Sequence, residues 1–419
     1  MSRTSDPSRP SWRSALRGNV LAVGIVSFLT DLSSEMVYPL LPTFVLGLAP
    51  AGGAALWVGL MEGIAETTAS LLKLVSGRLS DALGRRKLLV VAGYGLSTVC
   101  RPLTAAAGAA WHVVVLRFAD RVGKGIRTSP RDALLADSVD AGVRGLAFSF
   151  HRAMDHAGAV LGPLAAAGLL WAWLGGAIWG APSGAAGPEA MAALRRVFAI
   201  SLLPGILVMA ALLAFVRESP SPAAGKAGSR RGDGGRFPGR FHAYVASVTI
   251  FALGNSSDLF LLLYGQTRFG IGMGGAMALW LALHLSKMAF SLPGGWLSDR
   301  FGRRGVILTG WAFYALVYLG MARVSTVEGF CALFVAYGFY YGMTEGAEKA
   351  MVADFVASDR LGTAYGVYHG AVGLAALPAS LVFGAVWSAA GPEVAFGIGA
   401  ALAGVAAVVL AFVPPGKRG

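Results

Sequence analysis

The chain has 419 residues, of which 55% are hydrophobic and 14% charged, and its 35 Lys and Arg against 22 Asp and Glu give a net charge of +13. Soluble domains carry about 25% charged residues, so this composition, with a mean hydropathy of +0.63, excludes a disordered chain and weighs against an ordinary soluble enzyme. The two cysteines, Cys100 and Cys331, are too few for a disulfide framework or a cysteine-bound metal.

A helical bilayer crossing takes about 20 mostly apolar residues. Twelve such runs follow one another, at about 20–46, 55–77, 88–107, 111–130, 146–174, 197–216, 242–265, 274–296, 305–323, 327–351, 362–389 and 393–413. They lack the period-2 alternation of a membrane barrel, so the predicted fold class is an all-α integral membrane protein. Residues 1–19 are polar and basic (Arg3, Arg9, Arg13, Arg17), with no small-residue cleavage site after a short apolar core, and read as a tail rather than a signal peptide. Runs one to six (20–216) make a first expected bundle and runs seven to twelve (242–413) a second. Between them lies a Ser-, Gly-, Pro- and Arg-rich linker, 217–241, and a short tail, 414–419, closes the chain.

Lys and Arg set the orientation. With the N-terminus cytoplasmic, that side gathers Arg78, Arg85, Arg86 and Lys87 after run two, Arg131 and Arg144 after run four, the linker arginines, and Arg300, Arg303 and Arg304 after run eight. The other side holds Arg101, Arg195, Arg196, Arg268 and Arg323. Both termini are therefore expected to be cytoplasmic, in a plasma (inner) membrane. The positive charge is a topology signal spread over many segments, not a nucleic-acid-binding patch.

Ionisable residues within the runs mark function. Run one carries Asp31 and Glu35; run two carries Glu62, Glu66 and Lys73; run five carries His151, Arg152 and Asp155. In run four Arg117, Asp120, Arg121, Lys124 and Arg127 fall within about 120° of helix circumference. Five charges at mid-bilayer would cost on the order of 13–17 kcal/mol, whereas the apolar residues of that run return about 3–5 kcal/mol. The stripe must face protein or a wet cavity. The second half is sparser, with Asp258, His284 and Lys287, and with Glu345, Glu348 and Lys349 expected near the cytoplasmic rim.

The halves repeat each other. Gly77-Arg-Leu-Ser-Asp81-Ala-Leu-Gly84-Arg85-Arg86 after run two returns as Gly295-Trp-Leu-Ser-Asp299-Arg-Phe-Gly302-Arg303-Arg304 after run eight. Asp137, Gly145, Ala147 and Phe148 return as Asp354, Gly362, Ala364 and Tyr365, and Ser33-Ser34-Glu35 is echoed by Ser256-Ser257-Asp258. Gly84 and Gly302 suit a tight turn. Asp81 and Asp299 are placed to cap the following helix or to pair with the arginines, which can bridge to acids such as Asp137.

This doubled loop resembles the signature of the major facilitator superfamily, and the six-plus-six layout carries the resemblance over the whole chain. It implies twelve transmembrane helices in two pseudo-symmetric six-helix bundles. Gly77, Asp81, Gly84, Arg85, Arg86, Asp137, Gly295, Asp299, Gly302 and Arg303 are then the expected gating residues. In run five, Gly158-Ala-Val-Leu-Gly162-Pro163 resembles an element of the family's proton-coupled exporters, although Leu164 to Ala167 stand where further glycines are expected. Close helix packing explains this element equally well. Run four meets the family's arginine motif loosely, with Asp120 and Arg121 replacing its usual polar residue and glycine.

The expected function is secondary active transport of a small organic solute or drug by alternating access. Asp31, Glu35, Glu62, Glu66 and Asp155 are the expected proton-coupling acids. Arg117, Asp120, Arg121, Lys124, Arg127, His151 and Asp258 are the expected substrate-binding residues, with Arg121 or Lys124 the anion site if the cations outnumber their acids. Proton-coupled export is favoured. Uptake of an anionic metabolite, a sodium-coupled cycle and a non-transporting receptor on the same fold stay open. No Gly-x-Ser-x-Gly, His-Glu-x-x-His, Cys-x-x-Cys or phosphate-loop signature occurs, and Gly270-Ile-Gly272-Met-Gly274-Gly275, which matches Gly-x-Gly-x-x-Gly, follows a membrane helix rather than a strand and reads as a loop and helix start; neither a cofactor nor a metal is expected. The expected partners are the solute, protons and the lipid bilayer, with the chain acting as a monomer.

Overall fold

A computed structural model describes residues 16–49, 54–175, 187–218, 236–255, 258–271 and 273–414. The expected N-terminal tail to residue 15, the linker segment 219–235, the Ser256–Ser257 echo and the side chains of Glu62 and Glu66 lie outside the described residues. Twelve helical units are described. They are α1 (Asn19–Val37, continued by a 3-10 turn Tyr38–Leu40 into Leu41–Leu48), α2 (Ala54–Leu83), α3 (Arg86–Leu103), α4 (Ala110–Asp137), α5 (Arg144–Leu174) and α6 (Pro188–Ile200 with Leu202–Phe215). The second half repeats the pattern with α7 (Gly239–Gly254 with Asp258–Phe269), α8 (Met273–Phe301), α9 (Arg303–Met321), α10 (Val327–Phe355), α11 (Leu361–Ala390) and α12 (Pro392–Ala411).

In the first bundle α1 packs on α5 and α6, and α4 on α2 and α3. In the second, α8 and α9 pack on α10, and α12 packs on α7 and α9. The bundles meet along α5 against α8 and α10, and along α11 against α2 and α4. Seven described stretches are long and apolar enough to cross a membrane, including α3, α6, α9 and α12. α4 and α10 are not among them; α4 carries Arg117, Asp120, Arg121, Lys124 and Arg127 along its length. The second bundle's core is aromatic: Phe251 stacks on Trp311 at 4.6 Å between ring centroids and Tyr314 on Tyr318 at 4.2 Å.

Close helix crossings explain several glycines. A Cβ on Gly158 would lie 2.4 Å from the Phe28 carbonyl, and one on Gly162 would lie 2.7 Å from the Glu35 Cβ. The Gly-x-x-x-Gly element therefore seats α5 on α1 at the turn that carries Asp31 and Glu35. Between the bundles, a Cβ on Gly77 would lie 2.2 Å from the Gly362 carbonyl, and one on Gly295 would lie 2.6 Å from that of Gly145.

Candidate functional site

One end of the molecule, here called the basic end, carries both signature loops and closes on itself twice. Gly84 and Gly302 turn these loops at φ of 61° and 102°, the left-handed region that glycine enters without strain. Asp81 ends α2, and its carboxylate accepts from the backbone N–H of Gly362 (3.0 Å) and Thr363 (2.6 Å) and from the Thr363 hydroxyl (2.7 Å). Asp299 ends α8 and accepts from the N–H of Gly145 (3.0 Å) and Leu146 (2.8 Å). Each acid thus caps a helix of the opposite bundle, α11 or α5, rather than the helix that follows it in sequence. A helix N-terminus offers unsatisfied N–H groups and a partial positive charge, so each staple satisfies both partners.

The arginines complete the closure symmetrically. Arg86 pairs with Asp137 and donates to the carbonyls of Ala133 (3.4 Å) and Ser358 (2.8 Å). Arg303 pairs with Asp354 and donates to the carbonyls of Ala350 (2.7 Å) and Ala141. The motif aligned Arg85 with Arg303, but the first loop is one residue longer, so Arg86 takes the buried place. Arg85 is exposed outside the cluster. Glu218, at the start of the linker, caps α3 by accepting from the N–H of Arg86 and Lys87, both at 3.0 Å.

Within the charged stripe of α4, one acid gathers three arginines. Asp120 is approached by Arg117 (3.6 Å), Arg121 (3.4 Å) and Arg101 of α3 (3.2 Å). Arg101, counted from the sequence among the far-side charges at the end of run three, is buried in α3 and donates to the Thr30 carbonyl of α1 at 2.9 Å. Arg117 lies over the Tyr38 ring at 4.5 Å. Arg127 is anchored on α3 by Ser97 (2.5 Å), the Gly93 carbonyl (3.2 Å) and the Tyr94 ring (4.3 Å). Asp31 lies within electrostatic range of Lys124 and Arg101, and Glu35 of Arg121, Arg117 and Lys124.

A second polar cluster crosses from bundle to bundle. Asp155 of α5 accepts from Ser27 of α1 and from Arg152 (2.9 Å), and His151, fully buried, stands 3.6 Å away. Arg152 and His156 of α5 reach Glu345 of α10 at 3.6 and 3.4 Å, and His156 meets His284 of α8 at 3.4 Å. Asp258 stays within the second bundle, held by Lys287 (3.0 Å), Tyr337 and Tyr341 (both 3.1 Å). Glu348 and Lys349 are buried rather than set at a wet rim. Glu348 accepts from Trp311 (2.9 Å) and Tyr368 (3.1 Å), and Lys349 binds Asp132. Sequence reasoning missed Asp132 and His369, and it placed Arg131 in a loop although α4 runs on to Asp137 and buries it. The missed signal was the sequence Arg131-Asp132, adjacent opposite charges inside a continuing helical period.

Comparison with known proteins agrees with this architecture. The family model described as Major Facilitator Superfamily matches residues 23–288 and 284–419. An uncharacterized MFS-type transporter of Methanocaldococcus jannaschii is 33% identical over 404 residues, covering 95% of each chain. The class G tetracycline resistance protein of Vibrio anguillarum is 26% identical over 388 residues, covering 89% of this chain and 91% of that protein. Among solved structures, the human organic anion transporter MFSD10 superposes with a TM-score of 0.77 at 16% identity, over 96% of this chain and 100% of that one. The Escherichia coli fucose:proton symporter FucP does so at 0.73 and 16%, over 94% and 98%. At such identities the structures speak for the fold alone. A doubled signature loop, two six-helix bundles and the family match together make this multi-pass membrane protein a member of the major facilitator superfamily, a transporter and not an enzyme.

Proposed function

We propose that the protein is a proton-coupled exporter of a small organic solute bearing an anionic group. It works as a monomer in the plasma membrane, with both termini and the linker in the cytoplasm. The observation that carries the reading is the juxtaposition of Asp31 and Glu35, one turn apart on α1, with the cation-rich face of α4. Carboxylates at membrane depth beside arginines and a lysine exchange protons when alternating access wets them in turn. Glu62, Glu66 and Asp155 are the further candidates in the first half of the chain. Arg117, Asp120, Arg121 and Lys124 are the proposed substrate contacts on that face. Export is favoured because relatives at 26% identity include the tetracycline resistance protein and the Lactococcus lactis multi-drug efflux pump homolog.

Proteoliposomes test this directly. An imposed pH gradient should drive accumulation of solute against its own gradient, and Glu35→Gln or Asp31→Asn should abolish accumulation while sparing downhill exchange. Accumulation driven by sodium alone, or left intact by neutralising each acid in turn, would overturn the coupling. Binding without accumulation would mark a receptor, and accumulation in the opposite direction an uptake system.

A further inference from the structure

Lys349 Nζ donates to Asp132 Oδ2 at 2.8 Å, and the two residues stand 217 positions apart. The same spacing relates Arg86 to Arg303, Asp137 to Asp354 and Gly145 to Gly362, so Asp132 and Lys349 are equivalent positions of the two halves. Equivalent points that touch must lie on the axis relating the halves. In a transporter made of parallel repeats, that axis runs along the membrane normal between the bundles. The pair therefore sits in the route itself, next to the basic-end gate, where the following residue, Ala350, gives its carbonyl to Arg303.

The repeat is charge-reversed at this point: Arg131-Asp132 in α4 stands against Glu348-Lys349 in α10. The supports correspond as well. Arg131 reaches the Tyr94 hydroxyl at 3.5 Å, and Glu348 accepts from Trp311, the equivalent of Tyr94. Identical charges on the axis would repel; opposite ones bond.

The two oxygens of Asp132, itself wholly buried, divide between the bundles. Oδ1 accepts from Arg131 of its own helix, Nε at 3.0 Å and Nη2 at 2.9 Å. Oδ2 accepts from Lys349 of α10 and from His369 Nε2 of α11 at 2.7 Å, both in the second bundle. The surrounding charges have partners of their own: Arg152 has Asp155 and Glu345, and Glu348 has Trp311 and Tyr368. Alternating access requires the bundles to part at the basic end; in that movement Asp132 would keep Arg131 of its own helix, and Lys349 and His369, both of the second bundle, would lose the oxygen on which they converge. A cation stripped of its partner at that depth is costly.

We propose that a carboxylate or phosphate oxygen of the substrate takes the place of Asp132 Oδ2 on Lys349 and His369. Loading substrate from the basic end and breaking the axial ion pair are then one exchange. This rests on the reading above that the solute is anionic, but it makes a separate claim: the internal acid and the substrate compete for the same two donors.

Equilibrium binding tests the competition without any gradient, so a failure of proton coupling or of export direction leaves the result readable. Benzoate and inorganic phosphate are titrated calorimetrically into the full-length protein in nanodiscs, with benzylamine as the cationic control. Asp132→Asn removes the competitor and should tighten binding of at least one anion about ten-fold or more, the scale of a charge-assisted hydrogen bond. Adding Lys349→Gln or His369→Gln to Asp132→Asn should cancel that gain, and benzylamine should gain nothing. Unchanged or weaker anion binding by Asp132→Asn, a gain that survives both second substitutions, or an equal gain for benzylamine would each overturn the proposal. A thermal melt accompanies every variant. If the Lys349→Gln double variant does not fold, the His369→Gln double variant decides.

Discussion

The basic-end gate and the axial pair solve the same problem, joining two repeated halves, in opposite ways. At the gate like residues recur: Asp81 and Asp299 each cap a helix of the other bundle, and Arg86 and Arg303 each reach a carbonyl there. On the axis unlike residues recur, Asp132 against Lys349. Position relative to the axis explains the difference. Off the axis, a residue meets a different residue of the other half, so one motif can serve twice. On the axis it meets its own counterpart, and a charged position is tolerated only if the counterpart is reversed.

The largest expected effect breaks the axis. Exchanging the pair, Asp132→Lys with Lys349→Asp, keeps the opposite charges but puts Lys beside Arg131 and Asp beside Glu348. Removing a partner from a buried ion pair costs about 3–5 kcal/mol, and the exchange should destabilise on that scale rather than rescue. Its thermal melt is expected to fall as far as that of Lys349→Gln alone. Recovery to the wild-type melt would show that opposite charge alone holds the axis and that the neighbours Arg131 and Glu348 do not fix its direction.

The gate should be more symmetric. Gly77→Val and Gly295→Val each force a side chain into a carbonyl of the facing helix, and overpacking of this kind costs about 1–3 kcal/mol. Spin labels placed across the basic end should report a wider distance in both variants, to a similar degree. A large disparity would mean that the two signature loops do not share the closure.

A finer difference tests the hydrogen bonding. To the facing bundle Asp81 has one hydrogen bond more than Asp299, from the Thr363 hydroxyl, worth about 0.5–1.5 kcal/mol. Asp81→Asn should therefore open the gate more than Asp299→Asn, as read by the alkylation rate of a cysteine introduced at Ser358. Thr363→Val should remove the gap between them. The smallest effect belongs to Arg85→Ala, expected within about 0.5 kcal/mol of wild type in a thermal melt, as exposed positions are. Arg86→Ala should exceed it clearly.

Much of this was legible in the sequence. Apolar run length gave the twelve helices, since a bilayer crossing has a fixed thickness. The repeated loop pointed to the paired contacts of the basic end, with its positive-φ glycines and the Arg86–Asp137 pair. The inward turn of the α4 stripe followed from the cost of charge in lipid. What escaped the sequence had one cause. A charge near the end of an apolar run looks like an end, as at Arg131, and only packing shows that the helix continues with its charge buried; Arg101 likewise reads as a far-side charge until its burial in α3 is seen. The shift from Arg85 to Arg86 likewise depended on a single extra loop residue, which turns a different side chain inward.

Along one dimension, then, the sequence determined the number of helices, the doubling of the halves and the need for inward-facing charges, because hydrophobic length and the price of a charge in lipid are local properties. Which helix Asp81 caps, which arginine is buried, and that Asp132 meets Lys349 were decided only by the tertiary structure. The contacts of Asp81 with Thr363 and of Asp132 with Lys349 join residues more than 200 positions apart, and they exist only once the two bundles have been brought together about their axis.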